Sequence, residues 1–292
     1  MKLLRSMLFT PGNHLRMIYK AGTLGADAII LDLEDAVPMA EKETARIFVR
    51  DSIAQVAVGG AQVFVRTNAF TTGLAEEDLK WTLQPGLDGV VLPKVESRDE
   101  VLEAERLITA LEKERGLEPG SLALVPSLES ALGVVNAYEI ATASRRTVAL
   151  AFGALDFTRD MGTSLSREGT EVLYARSRIA IVARAAGIQA IDTPWIDIAD
   201  QEGLVQEAKT VRQLGFRGKL LIHPSQIEPV TRVFSPSEDE LEYARKVVKA
   251  FKEAEAEGVG AISLEGKMID IANFRQAQNL IAWAEAIGER SS

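Results

Sequence analysis

Short apolar, β-branched runs recur along this chain at intervals that each leave room for one helix, and that rhythm limits the folds open to it. The runs cover residues 7–10, 28–35, 63–68, 89–94, 122–129, 148–153, 188–193 and 220–224. Segments between them, such as residues 100–115 and 171–186, bring an apolar residue back every three or four positions, the period of a helix buried along one stripe. A strand-then-helix alternation favours a parallel sheet covered on both faces. About eight strands is the number that closes a TIM barrel. No glycine-rich dinucleotide fingerprint follows the first run, which places an α/β TIM (β/α)8 barrel ahead of an open doubly wound sheet.

The barrel is expected over residues 1–226, with residues 227–292 as a C-terminal helical extension. Residues 227–237 read as a linker punctuated by Pro229 and Pro236. Ser237 is a plausible cap for a helix to about Gly258, with Leu241, Ala244, Val248 and Phe251 on one face. A second helix is expected after Asp270, through Trp283. This tail is too short to be self-sufficient and is expected to pack on the barrel or on a neighbouring subunit.

Composition removes several kinds of chemistry. The 292 residues include no Cys, so disulfide frameworks, zinc ribbons and thiol nucleophiles are excluded. Only His14 and His223 are present, too few for a His-rich metal site, so any metal should be a hard cation held by oxygen. Against 42 Asp and Glu stand 33 Lys and Arg, a net charge of −9, which argues against nucleic acid as a partner. No signal peptide or membrane-spanning run is read, and the expected location is the cytoplasm.

In a barrel enzyme the chemistry gathers at the carboxyl ends of the strands. The polar residues there are unusually acidic: Asp32, Glu34, Asp35, Glu129, Asp156 and Asp192, with Arg66, Lys94 and His223 as the basic members. Strand alternation puts Asp32 and Glu34 on one face and Leu31 and Leu33 on the other. Carboxylates converging in one mouth raise one another's pKa unless a cation is present, and one or two carboxylates plus water is the usual protein share of a Mg²⁺ shell. Lys94 is open to two readings: a Schiff-base nucleophile, or, favoured, an ion pair with Glu96, Asp88 or an acid of the mouth. His223 reads equally well as a general base or as a hydrogen-bonding residue at the barrel rim.

Longer strings carry a resemblance. Arg5-Ser6-Met7-Leu8-Phe9-Thr10-Pro11-Gly12-Asn13, Ile30-Leu31-Asp32-Leu33-Glu34-Asp35-Ala36-Val37, Phe64-Val65-Arg66-Thr67-Asn68 and Leu92-Pro93-Lys94-Val95-Glu96 resemble the citrate lyase β-subunit family, which belongs with the HpcH/HpaI-type aldolases. Phe152-Gly153-Ala154-Leu155-Asp156-Phe157, Leu173-Tyr174-Ala175-Arg176-Ser177, Leu221-Ile222-His223-Pro224 and Gly266-Lys267-Met268-Ile269-Asp270 extend the match in order along nearly the whole chain. The resemblance implies a TIM barrel, commonly in trimers or pairs of trimers, and a Mg²⁺-dependent carbon–carbon lyase. Its substrate would be a β-hydroxyacyl thioester of CoA or an acyl carrier, such as a malyl, citramalyl or citryl thioester, cleaved to a 2-oxo acid and an acyl thioester. Residue by residue it implies Glu129 and Asp156 as Mg²⁺ ligands, although Ser130 stands where the family more often has Thr. It implies Arg66 on the substrate's oxygens, Asp270 as acid/base, Asp32 and Glu34 as supporting acids, and Arg16 and Lys20 near the CoA phosphates. The backbone N–H groups of Gly153, Ala154 and Leu155 are expected to hold the substrate carboxylate. A thioester hydrolase on the same site, or a citrate lyase β subunit that needs α and γ partners, are the alternatives.

Overall fold

The computed structural model describes residues 3–291, and these divide into two compact units, Leu4–Thr231 and residues 232–291 with Leu3. The larger unit is a closed barrel of eight parallel strands in sequential order: β1 (Ser6–Pro11), β2 (Ala28–Asp32), β3 (Gln62–Arg66), β4 (Gly89–Leu92), β5 (Ala123–Leu128), β6 (Ala149–Phe152), β7 (Gln189–Asp192) and β8 (Gly218–Leu221), with β8 pairing back to β1. Each of the eight expected runs overlaps a strand, although β8 begins two residues before the expected run and ends three residues short of the run's end. The helices that follow them include α1 (Leu15–Ala21), α2 (Lys42–Ala57), α3 (Ala75–Thr82), α4 (Arg98–Glu114), α5 (Ala131–Val135), α6 (Ala137–Thr142), α7 (Ala154–Asp160), α8 (Leu173–Ala186), α9 (Gln201–Leu214) and α10 (Ile227–Val233). No helix among the described residues is long and apolar enough to cross a membrane.

Period-two alternation sorts each strand into an inner and an outer face. Met7, Ala28, Ile30, Phe64, Val91, Val125, Ala151, Ile191 and Leu220 form one buried cluster, the packed filling of the barrel. Large and small residues complement each other there. A Cβ on Gly89 would lie 2.5 Å from the Phe64 ring, so that glycine makes room for the phenyl group of the neighbouring strand. The opposite faces, with Ile29, Leu31, Val63, Val65, Val90, Leu124 and Leu150, are equally buried under the helix layer. Strands that are apolar on both faces are the mark of a parallel sheet covered on both sides.

A buried charged group lies in that outer layer. Asp192 and Lys219 are register partners on β7 and β8, and both are fully buried. Lys219 Nζ lies 2.5 Å from Asp192 Oδ2 and 2.5 Å from Glu207 Oε2. Arg176 from α8 spans the same two acids at 2.8 and 2.6 Å. The reading of Asp192 as an acid of the mouth is therefore corrected: it sits on the outer face of β7, one residue out of phase with inward-facing Ile191, and ties the sheet to α8 and α9.

The second unit pairs α11 (Glu238–Ala256) with α12 (Ile271–Ser291). Ser237 begins α11 with a reciprocal capping box to Glu240. Ala244, Val247, Phe251, Ile269 and Ala277 form its core, and the Phe251 and Phe274 rings stack at 5.0 Å. One expectation is corrected, and the segment between the long helices holds a further element. The segment read as a linker contains α10, whose Pro229 falls in the first turn, where a missing N–H leaves no helical bond unmade. The segment between the long helices holds a hairpin, β9 (Ile262–Leu264) and β10 (Lys267–Ile269). Its two turn residues, Glu265 and Gly266, both have positive φ, as the tightest hairpin turns require.

Replacing Lys219 with Ala should destabilise the protein by about 3–5 kcal/mol, because it strips a cation from a carboxylate with no access to water. Replacing Arg106, whose pair with Glu103 is exposed, should leave stability close to that of the parent. Urea unfolding of the two variants beside the parent checks the contrast.

Candidate active site

Inward-facing positions near the carboxyl ends of β2, β3 and β5 carry Asp32, Arg66 and Glu129, where lower positions on the same faces carry Ile30, Phe64 and Val125. Asp32 and Arg66 are register partners on adjacent strands. Arg66 Nε and Nη2 each donate to one Asp32 oxygen at 2.7 Å, a bidentate fork. Its guanidinium also lies 4.4 Å over the Phe9 ring, which rises from β1. The backbone N–H groups of Glu34 and Ala36 complete the shell of Asp32. Burial alone would raise the Asp32 pKa, but Arg66 and these donors outweigh it and hold the carboxyl below its ordinary range. Asp32 therefore stays an anion with all its neighbours in place. Its geometry is that of a residue that positions Arg66 rather than one that carries protons.

Glu34 sits beside this pair on the strand's continuation. Lys94 Nζ lies 2.5 Å from Glu34 Oε1 and 3.2 Å from Asp35. Lys42, from α2, donates to the carbonyls of Leu33 and Glu34 and fixes the loop that carries both acids. Glu34 Oε2 is buried and accepts no hydrogen bond; Arg66 Nη1 is 3.1 Å away but poorly aligned. Burial raises the Glu34 pKa despite the opposing Arg66 and Lys94.

Lys94 has φ of +53°, a conformation a non-glycine residue adopts at a cost of about 1–2 kcal/mol. The turn points its N–H toward Glu129 Oε1 at 3.4 Å while Nζ reaches the β2 acids. Burial opposes the Lys94 charge, but Glu34 and Asp35 overcome it and raise its pKa. A Schiff-base lysine must be neutral to attack a carbonyl. The ion pair with acids of the mouth is what the structure shows.

Glu129 follows β5 and is only 5% exposed. Burial pushes its carboxyl up to about 7, reinforced by Glu34 and Asp156 and opposed by the Ser127 hydroxyl and Arg66. Asp156 lies in the first turn of α7, about one-fifth exposed and paired with the exposed Arg159 at 2.5 Å. Gly153 joins the two acids. A Cβ there would meet Glu129 Cγ at 2.7 Å and Cδ at 3.0 Å, so the missing side chain is what lets the carboxylate lie against this backbone. Two oxygen donors, one of them a carboxyl whose pKa burial raises and its acidic neighbours raise further, fit a hard divalent cation, which would favour the charged form. No cluster of three or more potential ligand side chains occurs among the described residues, so water and substrate would complete the shell.

The expected carboxylate cradle is corrected. The Gly153 N–H donates to Leu128 O and the Ala154 N–H to Thr193 Oγ1, so of the three named donors only that of Leu155 has no bond among the described residues. Arg16 and Lys20 lie on α1, exposed to solvent. His223 caps the turn at residues 224–226, its Nδ1 accepting from the Ser225 N–H, and is exposed. Asp270 belongs to the second unit. Its Oδ1 accepts the N–H groups of Ala272 and Asn273 at the start of α12, and Asn273 Oδ1 accepts the Asp270 N–H. Phe9, Lys42 and Thr193 escaped the sequence reading. Phe9 was within reach of it, sharing its strand face with Met7; the other two act through backbone bonds that no motif announces.

An oriented arginine beside a carboxylate pair at the mouth of a (β/α)8 barrel has the parts that metal-assisted chemistry at a carbonyl group would use. The chain matches the HpcH/HpaI aldolase/citrate lyase family over residues 5–224. It is 44% identical over 285 residues to the citrate lyase subunit beta of Leuconostoc mesenteroides subsp. cremoris, covering 98% of this chain and 94% of that one. It is 36% identical over 296 residues to the mitochondrial citramalyl-CoA lyase of Homo sapiens, covering 98% and 87%. A crystal structure of protein CitE from Mycobacterium tuberculosis in complex with magnesium, acetoacetate and coenzyme A is 33% identical, with a TM-score of 0.78 over 96% of this chain and 98% of that one. The chain belongs to the HpcH/HpaI aldolase/citrate lyase family, and it is a carbon–carbon lyase.

In the metal-free protein Glu129 keeps its proton more tightly in the fold, at about 7, than its ordinary 4.5. It costs nothing below about 4.5, and the stability it subtracts grows as pH rises to about 7. In EDTA, Glu129→Gln should therefore be more stable than the parent at pH 8, by on the order of 2 kcal/mol, with the gap closing by pH 5. Chemical unfolding at the two pH values measures it.

Proposed function

We propose that the protein is a Mg²⁺-dependent lyase acting on a β-hydroxyacyl thioester of the malyl, citramalyl or citryl kind, which it splits into a 2-oxo acid and an acyl thioester. The observation that carries this is the Glu129–Asp156 pair set against backbone at Gly153, beside an arginine already oriented by Asp32. Relatives named as a citrate lyase subunit and a citramalyl-CoA lyase, and one crystallised with magnesium and coenzyme A, support the substrate class.

Glu129 and Asp156 would hold the ion, which supplies Lewis-acid polarisation of the oxo acid's oxygens. Arg66 stabilises negative charge as it develops on oxygen. Asp32 takes Nε and one N–H of Nη2 while Glu34 lies 3.1 Å from Nη1, so the remaining Nη N–H groups are the donors left for the substrate. Because Asp32 and Phe9 already fix the guanidinium, little reorganisation is left for the reaction itself. Lys94 neutralises Glu34, keeping one more negative charge away from an anionic substrate. Asp270 is assigned, on the family resemblance, the proton returned to the enolate carbon or removed in the condensing direction. Arg16 and Lys20 are assigned to the thioester's phosphates on the same footing. The location is proposed to be the cytoplasm, and the assembly a homotrimer or hexamer.

Incubating the purified chain with candidate CoA thioesters and Mg²⁺ should release a 2-oxo acid and an acetyl or acyl thioester. EDTA should abolish the release and added Mg²⁺ restore it. Free CoA with an intact hydroxy acid would instead mark a hydrolase, and turnover only with α and γ subunits added would mark a complex-dependent β subunit. Arg66→Lys, which keeps the charge but loses the fork on Asp32, should lower kcat by roughly 10²- to 10³-fold with a smaller effect on KM.

A further inference from the structure

The helix that carries Asp156 has no cap of its own. Gly153 stands at the capping position of α7 and has no side chain to accept a hydrogen bond. The acceptor comes from another strand: the Ala154 N–H donates to Thr193 Oγ1 at 3.0 Å, and Thr193, the residue after β7, is 1% exposed. Its neighbour Asp192 is gripped from the outer face by Lys219 and Arg176, so the end of β7 is anchored on one side while it offers a hydroxyl on the other.

The backbone held by that hydroxyl touches both proposed cation ligands. Gly153 lies against the Glu129 side chain, and Asp156 follows Ala154 by two residues in the same turn. We propose that Thr193 is a positioning residue that sets the spacing of Glu129 and Asp156 by capping α7 from the neighbouring strand. The inference rests on the reading of those two acids as ligands. Without the hydroxyl, a buried N–H loses its partner and the first turn is free to shift. Ligand distances to a small divalent ion tolerate little such shift.

The test measures Mn²⁺ binding to the full chain without substrate, by electron paramagnetic resonance with Mg²⁺ as competitor. Thr193→Val, close in shape but lacking the acceptor, should bind Mn²⁺ roughly three- to tenfold more weakly, the range expected for one lost hydrogen bond. Thr193→Ser should bind within about twofold of the parent. A merely structural threonine would lower the unfolding midpoint and leave the affinity of the folded protein unchanged; parental affinity in the valine variant overturns the inference while the ligand assignment stands. A parent chain that binds no Mn²⁺ overturns the ligand assignment, and the inference with it. Should the valine variant not fold, hydrogen exchange on the parent decides: saturating Mn²⁺ should slow exchange of the Ala154 amide, and an unchanged rate rejects the coupling.

Discussion

The bidentate pair of Arg66 and Asp32 is the interaction on which the mouth of this barrel depends. Three acids, Asp32, Glu34 and Glu129, are at least nine-tenths buried at the carboxyl ends of the strands, where each unpaired negative charge would be expensive. Arg66 is the cation they share. It binds Asp32 through two nitrogens, faces Glu34 through a third and lowers the proton affinity of Glu129 through space. The register of β2 and β3 places Asp32 directly opposite Arg66, so the pair is a product of the same strand pairing that closes the barrel. Packing and chemistry here have one origin. Below the pair the interior is aliphatic and full; at the pair it becomes ionic within a single residue step along each strand.

Charge then falls off across the mouth. Lys94, held in a left-handed turn, neutralises the side nearest β2. Among the described residues no lysine or arginine forms an ion pair with Glu129, and burial raises its proton affinity. A group that is short of positive charge, buried, and set against bare backbone is the place where a mobile cation is worth most.

Much of this was legible from residues alone. The eight runs gave eight strands, since parallel strands buried on both faces write themselves as continuous apolar segments. Alternation also placed Asp32, Arg66 and Glu129 together, because each shares its strand face with a core residue two or four positions earlier: Ile30, Phe64 and Val125. It failed at Asp192 for a definite reason: when both faces of a strand are apolar, parity says which residues share a face but not which face is inside. The partners of Asp192 are Arg176 on α8 and Lys219 on β8, 16 and 27 residues away in the chain. Thr193 and Lys42 were hidden because their hydrogen bonds go to main-chain atoms, which carry no signature. The Glu265–Gly266 turn was visible in principle as a two-residue link with glycine in second place.

The bare Cα of Gly153 has a consequence for anyone reshaping this pocket. Most positions lining a barrel mouth can be varied to admit a bulkier or differently charged guest, and the scaffold beneath absorbs the change. At Gly153 even one methyl group would occupy space already filled by the Glu129 side chain. Altered selectivity must therefore be sought at the outward-leaning loop tips, and the floor beneath the acid pair inherited unchanged by every descendant of the scaffold.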